Sequence, residues 1–390
     1  MKQIIIMEDI SLFFAPVAQD RVIDFGLGKT IDTHTESAGF PEIPKQSIAL
    51  FYVPEFRNSN FEKVKHEKFR EQLHQFNYGK DWTRKIVDLG DVFPGESIND
   101  TYFAVSKIVA TLVKHDVIPV IIGGSQDLTM AVYKGYETLE QYVNLCTIDA
   151  KLDMGTPENE LHADGYISHL LVQRPCYLFN HSNIGLQIPY ADKDELDLFD
   201  KLYFDYCRLG EYNADFKRAE PHLRNSDILS IDFSSIRYGE LADSQYSNAN
   251  GFYADQMCQI ARYAGVSDKL SSMGIFNYLP ELTNATNASN LVAQIIWYFI
   301  DGVNARVGDY PIGNRKNYLK FIVHIDDFKD EIVFFKSDKS ARWWMQVPYP
   351  AEEQRKYERH YLVPCNHEDY DRAMQNEIPD LWWKTYQKLV

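Results

Sequence analysis

Carboxylates spaced at regular intervals after apolar runs are the residues of this sequence that could most readily do chemistry. Asp149, Lys151 and Asp153 follow the run NLCTI at intervals of two, and Asp232 and Ser234 follow ILSI with the same interval. Alternate residues of an extended chain point to one side, so each set can converge. Clustered carboxylates bind hard cations such as Mg²⁺, Ca²⁺ or Mn²⁺. The spacing therefore predicts a shared carboxylate pocket.

A third polar segment follows the apolar run VIPVII. The pair Gly123 and Gly124 lets the chain turn sharply after a buried strand and presents Gln126 and Asp127. We interpret Asp127 as the N-cap of the next helix, because Asp is favoured at that position. The alternative is that Asp127 leans into the pocket as a fourth carboxylate.

Strands that alternate with helices must position these segments. From residue 47 to about residue 303, short β-branched runs alternate with amphipathic stretches, which is typical of a mainly parallel sheet covered by helices. Ligands of such sheets bind beyond the carboxyl ends of the strands, where all three polar segments lie. We predict an α/β fold of three α/β/α layers, with strands at 48–53, 86–89, 117–122, 143–149, 228–232 and 273–276 and with helices that include 99–115, 254–264 and 288–300.

The pattern divides the chain into three regions. Residues 1–45 form an N-terminal extension laid on the main domain, and residues 46–311 form that α/β domain. Residues 312–390 begin with a predicted hairpin, 319–326 and 331–336, and continue into paired tryptophans and an acidic, tyrosine-rich tail. Because this last region has too few apolar residues to form a hydrophobic core of its own, we expect a hairpin-and-helix annex packed on the main domain.

Composition limits the classes of partner. The formal net charge of −16 argues against nucleic acid, which needs a clustered basic surface. No apolar run approaches the roughly 20 residues that cross a bilayer, so no membrane association is expected. The five cysteines are widely spaced and form no CxxC pair, which predicts reduced thiols. The first residues do not show the pattern of a secretory signal. We expect a cytoplasmic protein.

The serial order of the motifs resembles the ureohydrolase family, which includes arginase, agmatinase and formimidoylglutamase. In that family, the motifs GGDHS, DAHxD and SxDxDxxDP follow three sheet strands and supply the ligands of a two-manganese site. The matching segments are GGSQD at 123–127, DAKLD at 149–153 and SIDFSSI at 230–236, and the resemblance runs from about residue 47 to residue 305. It implies an arginase-like fold, C–N hydrolase chemistry on linear amidines, and a trimer or hexamer.

Residue by residue, the resemblance implies one subsite that is largely kept and one that is largely lost. The ligands of one family metal correspond to Gln126, Asp149, Asp153 and Asp232, which keep three carboxylates. The second metal shares Asp149 and Asp232, but its own His and Asp correspond to Lys151 and Ser234. A charged lysine has no lone pair to give, so it cannot replace a histidine ligand.

The departures extend across the pocket. The family's substrate-orienting Glu corresponds to Asn277, the Arg of IGxR corresponds to Gln187, and Asp127 takes the place of the family's Ser. His162, in LHADG, matches the substrate-loop histidine and could act as a proton shuttle, or it could simply lie at the surface.

Charge arithmetic leaves two interpretations of the site open. Asp149, Asp153 and Asp232 contribute −3 and Lys151 contributes +1, so −3 + 1 leaves −2. One divalent cation, Mn²⁺, Mg²⁺ or Ca²⁺, could occupy the surviving subsite with the Gln126 carbonyl as a further ligand. Alternatively no metal binds, and Lys151 sits where the second ion would be.

Our main hypothesis is a ureohydrolase-fold protein with a dismantled two-metal site, catalytically silent and acting as a binding, scaffolding or regulatory protein. The alternative is a metal-dependent hydrolase of a guanidino or formimino compound that uses at most one metal, with His162 assisting. A homo-oligomer and a protein partner are both compatible with the sequence.

Overall fold

The computed structural model describes residues 8–60, 68–241, 248–279, 286–312, 315–326, 328, 331–350 and 357–389. A ten-stranded sheet forms its centre, and its main path runs in the order β1-β4-β3-β5-β10-β9-β6-β7-β8, with β2 also paired to β4. Among these strands only β1 is antiparallel to its neighbour. The strands are Phe14–Ala15 (β1), Ile31–Thr33 (β2), Ile48–Tyr52 (β3), Ile86–Val92 (β4), Ile118–Ile122 (β5), Val143–Ile148 (β6), Leu178–Leu186 (β7), Asp205–Arg208 (β8), Ile228–Asp232 (β9) and Ser272–Phe276 (β10).

Helices cover both faces of this sheet. They are Glu8–Ser11 (α1), Phe69–His74 (α2), Ile98–Lys114 (α3), Leu128–Thr138 (α4), Tyr166–Val172 (α5), Lys193–Lys201 (α6), Leu209–Ala214 (α7), Glu220–Asn225 (α8), Ala254–Val266 (α9) and Thr286–Asn304 (α10). One core cluster joins one sheet face to α2, α7, α8, α9 and α10, and the other joins the opposite face to α1, α3, α4, α5 and α6. The predicted three-layer α/β/α fold is confirmed.

Strand β3 shows why the central strands are apolar throughout. Ile48 and Leu50 pack in one core cluster, whereas Ala49 and Phe51 pack in the other. Successive side chains of a strand point to opposite faces, so a strand covered on both sides must be apolar at every position. All five residues of β3 are buried.

The N-terminal region is integrated in the sheet. Strand β1 pairs antiparallel with β4 through Phe14 and Val92, and β2 pairs parallel with β4 through Ile31 and Ile86. Residues of the predicted N-terminal extension therefore take part in the sheet itself, as strands β1 and β2.

The C-terminal region forms a second sheet of four antiparallel strands. Its strands are Tyr318–Val323 (β11), Ile332–Ser337 (β12), Trp343–Gln346 (β13) and Leu362–Cys365 (β14), and two helices follow, His367–Met374 (α11) and Asp380–Leu389 (α12). The predicted hairpin is present as β11 and β12, although part of its turn lies outside the described residues. The annex is thus a four-stranded sheet with two helices.

Within the described part of the chain, the helices are all too short or too polar to cross a bilayer.

Candidate metal centre

The carboxyl ends of β5, β6, β9 and β10 bring the predicted polar segments together. After β5, Gly123 and Gly124 turn the chain with φ values of +89° and +72°. A Cβ at Gly123 would lie 2.0 Å from the ring of Tyr52, and one at Gly124 would lie 2.2 Å from Leu128. Both positions therefore need glycine, because a side chain has neither the conformation nor the space.

Three of the predicted carboxylates form a single buried cluster. Asp149 and Asp153 follow β6, Asp232 ends β9, and one oxygen of each lies within 4.8 Å of the others. All three residues are buried. The three carboxylates converge, whereas Lys151, which stands between Asp149 and Asp153 in the predicted set, does not join them; Asp153 reaches the cluster with a φ of +49°.

Asp232 is held by donors from two strands. Its Oδ1 accepts from Ser234 N at 2.7 Å and from Asn277 Nδ2 at 3.0 Å, and its Oδ2 accepts from Ser234 Oγ at 2.6 Å. The two predicted replacements, Ser234 and Asn277, thus both serve as hydrogen-bond donors to a surviving carboxylate. Ser234 donates where the family resemblance implies a second carboxylate ligand.

Asp149 is less completely satisfied. Its Oδ1 accepts from Lys151 N at 2.9 Å, whereas Oδ2 is buried without a hydrogen-bond partner. Burial, followed by the charge of Asp232, raises the pKa of Asp149 to about 8. Burial and the charges of Asp149 and Asp232 also raise the pKa of Asp153, and burial raises that of Asp232. Without a cation, the cluster therefore holds at least one proton at neutral pH.

Lys151 turns away from the cluster. Its Nζ lies 3.4 Å from Asp164 Oδ1, and the two side chains are 46% and 56% exposed. Burial lowers the Lys151 pKa, but the charges of Asp164, Asp153 and Asp149 together raise it. Its backbone is fixed by Asn183, whose Nδ2 donates to Lys151 O at 2.6 Å. We expected Lys151 either beside the carboxylates or in the place of the second ion, whereas its ion pair is with Asp164 at the surface.

Gln126 and Tyr166 are two buried residues that are hydrogen-bonded to each other. Gln126 is buried, and its Nε2 donates to the hydroxyl of Tyr166 at 3.5 Å. The nearby Gln126 amide also acts to lower the pKa of Asp149. As the amide is oriented, its nitrogen faces Tyr166, so a carbonyl ligand at Gln126 would require the amide to turn over.

Tyr166 was absent from the sequence analysis. It is fully buried at the start of α5, and Ile167 N donates to Asp153 O at 3.1 Å, which holds the helix against the cluster. Burial and the charges of Asp153, Asp149 and Asp232 raise the pKa of Tyr166. The one sequence signal was its position, directly after the LHADG segment that the family resemblance places near the substrate.

Asp127 occupies the predicted N-cap position of α4, but its side chain makes no capping hydrogen bond. The carboxyl instead accepts a short hydrogen bond from Tyr102 Oη and one of 3.2 Å from Asn58 Nδ2. The buried phenol and the half-buried amide partly compensate the desolvation of this carboxyl, and burial raises the pKa of Asp127. Asp127 does not join the described three-carboxylate cluster.

A small pocket of about 190 Å³ is lined by sequence neighbours of the cluster, among them Ala150 and Ser234. His162 and Lys151 line it together with Ser234, Asn248 and Asn277. His162 Nδ1 accepts from Asp164 N at 3.2 Å, and its side chain is 40% exposed. The histidine therefore stands in the pocket wall with direct access to solvent.

Gln187 lies to one side of this pocket. It exchanges hydrogen bonds with Asn250: Nε2 donates to Asn250 O at 3.3 Å, and Oε1 accepts from Asn250 Nδ2 at 3.2 Å. Its amide therefore joins the loop after β7 to the loop before α9.

The donor set fits one hard cation and does not fit two. Three buried carboxylates converge, and the unpartnered Oδ2 of Asp149 is a free ligand atom of the kind that Mg²⁺, Mn²⁺ or Ca²⁺ prefers. A second ion would need donors at Lys151 and Ser234. There the described structure offers an ammonium paired with Asp164 and a hydroxyl that donates to Asp232.

Comparisons with solved structures agree with this fold. Formiminoglutamase from Trypanosoma cruzi, solved with Mn²⁺, has a TM-score of 0.59 at 16% identity, covering 67% of this chain and 94% of its own. Formimidoylglutamase from Bacillus subtilis has a TM-score of 0.61 at 15% identity, covering 75% and 95%. A hypothetical agmatinase from Burkholderia thailandensis has a TM-score of 0.57 at 13% identity, covering 68% and 89%.

The sequence matches none of the curated proteins with which it was compared. The model of the Arginase family matches residues 62–301, which is more than half of the chain. That stretch contains all three clustered carboxylates, Gln126, Tyr166 and the pocket residues Lys151, Ser234 and Asn277. The chain is a member of the Arginase family.

Proposed function

We propose that this protein does not catalyse two-metal hydrolysis, and that it holds at most one divalent cation and acts through binding, as a scaffolding or regulatory protein. One observation carries the proposal. At the two positions that would complete the second metal subsite, Lys151 pairs with Asp164 and Ser234 Oγ donates to Asp232. The charged ammonium has no lone pair to give, and the Ser234 hydroxyl is neutral and directs its proton to Asp232, so neither replaces the imidazole or the carboxylate that the second subsite needs.

The charge of the cluster supports a single cation. Among the described residues, no lysine, arginine or histidine forms an ion pair with Asp149, Asp153 or Asp232. Buried carboxylates that lack a cation must take up protons, because isolated buried charge is costly. A divalent ion held by these three residues would supply charge neutralisation and polarise a bound oxygen.

The chain's own residues would then shape what binds above the cation. Asn277 and Ser234 fix Asp232, and the Lys151 backbone fixes Asp149. The pocket mouth carries one cation and one anion, Lys151 and Asp164, which lie 3.4 Å apart. These groups suit the recognition of a small polar ligand.

The test is an assay of the manganese-loaded protein with guanidino and formimino substrates, following urea, ammonia and formamide. We expect no release above that of the Asp149→Ala variant. Release that requires manganese and disappears in Asp149→Ala would overturn the proposal and identify a hydrolase.

A second candidate function is a one-metal hydrolase of a linear amidine. It is favoured by His162, whose half-exposed imidazole lines the pocket and could carry a proton to a leaving group. The solved neighbours include a formiminoglutamase and a formimidoylglutamase, which give the substrates to screen first. If the protein is such a hydrolase, His162→Gln abolishes the release of urea, ammonia or formamide that the assay detects.

We further propose that binding involves a homo-oligomer or a protein partner, since the resemblance implies a trimer or hexamer. Light scattering at micromolar concentration tests the first version. A monomer would exclude the homo-oligomer, and binding to a different protein would then be the remaining proposal.

A further inference from the structure

We propose that a second copy of this chain pairs with the outer edge of strand β11, so that the annex sheets of the two copies join into one continuous antiparallel sheet. The inference rests on the homo-oligomer version of the proposed function and deepens it, because it assigns the surface through which two copies meet. It also gives the annex a role that the family resemblance does not supply.

Strand β11 is an open edge of the annex sheet. The strand order is β11-β12-β13-β14, and within the described part of the chain no strand pairs with the other side of β11. The opposite edge strand, β14, is held by the main domain, since Arg224 donates to Cys365 O at 2.9 Å. Leu319 of β11 is 59% exposed and Ile322 is 48% exposed. A bare strand edge with large apolar side chains is a site at which another strand can pair.

The hydrogen bonds at the start of β11 show which of its backbone groups face outward. Asn317 O accepts from Asp338 N, next to β12, at 3.0 Å, whereas Tyr318 N donates at 3.2 Å to the turn before the strand. In an antiparallel pair the direction of the backbone groups alternates from one residue to the next. The N–H and C=O groups of Lys320 and Ile322 therefore point away from β12, toward an incoming strand.

A two-fold pairing centred on Phe321 satisfies these outward groups. With the axis normal to the sheet, Phe321 lies opposite Phe321 of the second copy, and Lys320 exchanges backbone hydrogen bonds with Ile322 of the second copy. Leu319 then lies opposite Val323 of the second copy, so that the exposed leucine gains an apolar neighbour on its own face of the sheet.

Lysine 320 selects this register over its neighbours. A pairing centred on Lys320 would set the two lysines directly opposite each other, which is destabilising. A pairing centred on Ile322 would set Lys320 opposite His324, another group that can carry positive charge. The pairing centred on Phe321 instead lays the aliphatic stem of Lys320 along Ile322.

Charge complementarity favours a second copy as the occupant of this edge. Lys316 precedes β11, Asp326 follows it, and both are exposed. In the pairing centred on Phe321, Lys316 of each copy approaches Asp326 of the other, so opposite charges meet at both ends of the joined strands. The edge is thus complementary to itself, as a two-fold contact between identical chains requires.

The charge at position 322 tests the pairing in the full-length protein. Ile322→Lys sets a lysine opposite Lys320, whereas the matched variant Ile322→Glu sets a carboxylate there. Both replace an exposed side chain, so both should fold. We expect light scattering at micromolar concentration to show a dimer for the wild type and for Ile322→Glu. The dissociation constant of Ile322→Lys should be about tenfold or more above that of Ile322→Glu.

A mixture of Lys320→Cys and Ile322→Cys chains tests the register. These positions of the two copies lie opposite each other at a Cα separation of about 5.5 Å, whereas identical positions lie more than about 7 Å apart. A mild disulfide oxidant should therefore cross-link the mixture and neither variant alone. The wild type measures the background from its own cysteines.

The outcomes separate this inference from the proposal on which it rests. A dimer that persists equally in both charged variants overturns the β11 contact and leaves a homo-oligomer through another surface. Equal loss in both variants, or cross-linking of either cysteine variant alone, overturns the pairing centred on Phe321. A wild-type monomer overturns the inference and the homo-oligomer together, and a strand of a different protein would then be the occupant to seek.

Discussion

At the scale of single residues, Lys151 shows how one substitution changes a site. The family resemblance implies a histidine ligand at this position, but here the ammonium reaches past the cluster to Asp164. Because both partners are about half exposed, solvent screens the pair. Lys151 therefore contributes little to stability and mainly removes a metal ligand.

This leads to a prediction about two lysines. Lys151→Ala should change the free energy of unfolding by less than about 1 kcal/mol, as expected for an exposed ion pair. The matched control is Lys269→Ala, which removes a buried lysine 3.6 Å from the buried Asp227 and should cost about 3 kcal/mol or more. Denaturant unfolding measures both values. A large loss in Lys151→Ala would mean that the ammonium does neutralise the carboxylate cluster.

A second prediction at this scale restores the missing ligands. The double variant Lys151→His, Ser234→Asp replaces the diverted ammonium and the donating hydroxyl with two groups that can ligate a metal. We expect its manganese content to rise from one to two ions per chain by elemental analysis. Lys151→Gln with Ser234→Asn, which adds amides at both positions, should not exceed one. A count of one in the first variant would show that other residues block the second subsite.

The three aspartates could be predicted from the sequence because each follows a strand at an interval that fixes its side. The direction of Lys151 could not, since its partner, Asp164, lies on a later loop. Tyr166 was missed for a similar reason: nothing local marks a tyrosine at the start of α5 as the hydrogen-bond partner of Gln126. The orientation of Asp127 depended on Tyr102, which lies on a different helix.

At the scale of elements, strand β7 was missed because it is polar and yet buried. Its sequence, LFNHSNIGL, does not read as an apolar run. Asn180, His181 and Asn183 are nevertheless buried, since each has a partner beyond its own strand: Asp205 for Asn180, and Thr147 for both His181 and Asn183. Buried polar groups that are hydrogen-bonded are tolerated in a core.

The buried histidine of β7 predicts a pH dependence. Burial lowers the pKa of His181 to about 3, from its ordinary value of 6.5. Between these values the unfolded chain binds more protons than the folded chain. Stability is therefore present above pH 6.5 and is lost as the pH falls toward 3, by up to about 1.4 kcal/mol per pH unit.

In His181→Gln, the amide can still hydrogen-bond to Thr147 but cannot titrate. The variant should therefore lose the pH-dependent contribution of His181 to the free energy of unfolding. The difference from wild type in free energy of unfolding should shift by about 2 to 3 kcal/mol between pH 6.5 and pH 4.5. The control is His324→Gln, because the His324 side chain is 78% exposed. Its free energy of unfolding, relative to wild type, should not change between the two pH values. Parallel curves for wild type and His181→Gln would contradict the assignment.

At the scale of the whole molecule, buried polar contacts join the annex to the main domain. Arg224 of α8 donates to Trp343 O and Cys365 O, each at 2.9 Å, and its guanidinium lies 4.8 Å from the Trp344 ring centre. Arg359 donates to the buried Asp227 at 2.6 Å. Three of the four tryptophans of the predicted pairs are buried, and Trp383 is 41% exposed. The annex is therefore part of the folded unit.

Truncation tests whether the annex and the main domain fold as one unit. A chain that ends at residue 311 would leave Asp227 without Arg359 and Asp205 without Lys384, which lies 3.1 Å away. We expect circular dichroism to show loss of the cooperative unfolding transition, because two buried carboxylates each lose an ion-pair partner that Lys269 and His222 replace only in part. A truncated protein that unfolds cooperatively at the same temperature would show that the annex is a separate domain.

The central claim is that the cluster of three carboxylates holds at most one cation, and metal content tests it most directly. The protein is incubated with excess Mn²⁺, freed of unbound ion and measured by elemental analysis beside Asp149→Ala. The account predicts one ion per chain in the wild type and none in the variant. Two ions per chain would contradict it, since the second subsite would then be intact despite Lys151 and Ser234.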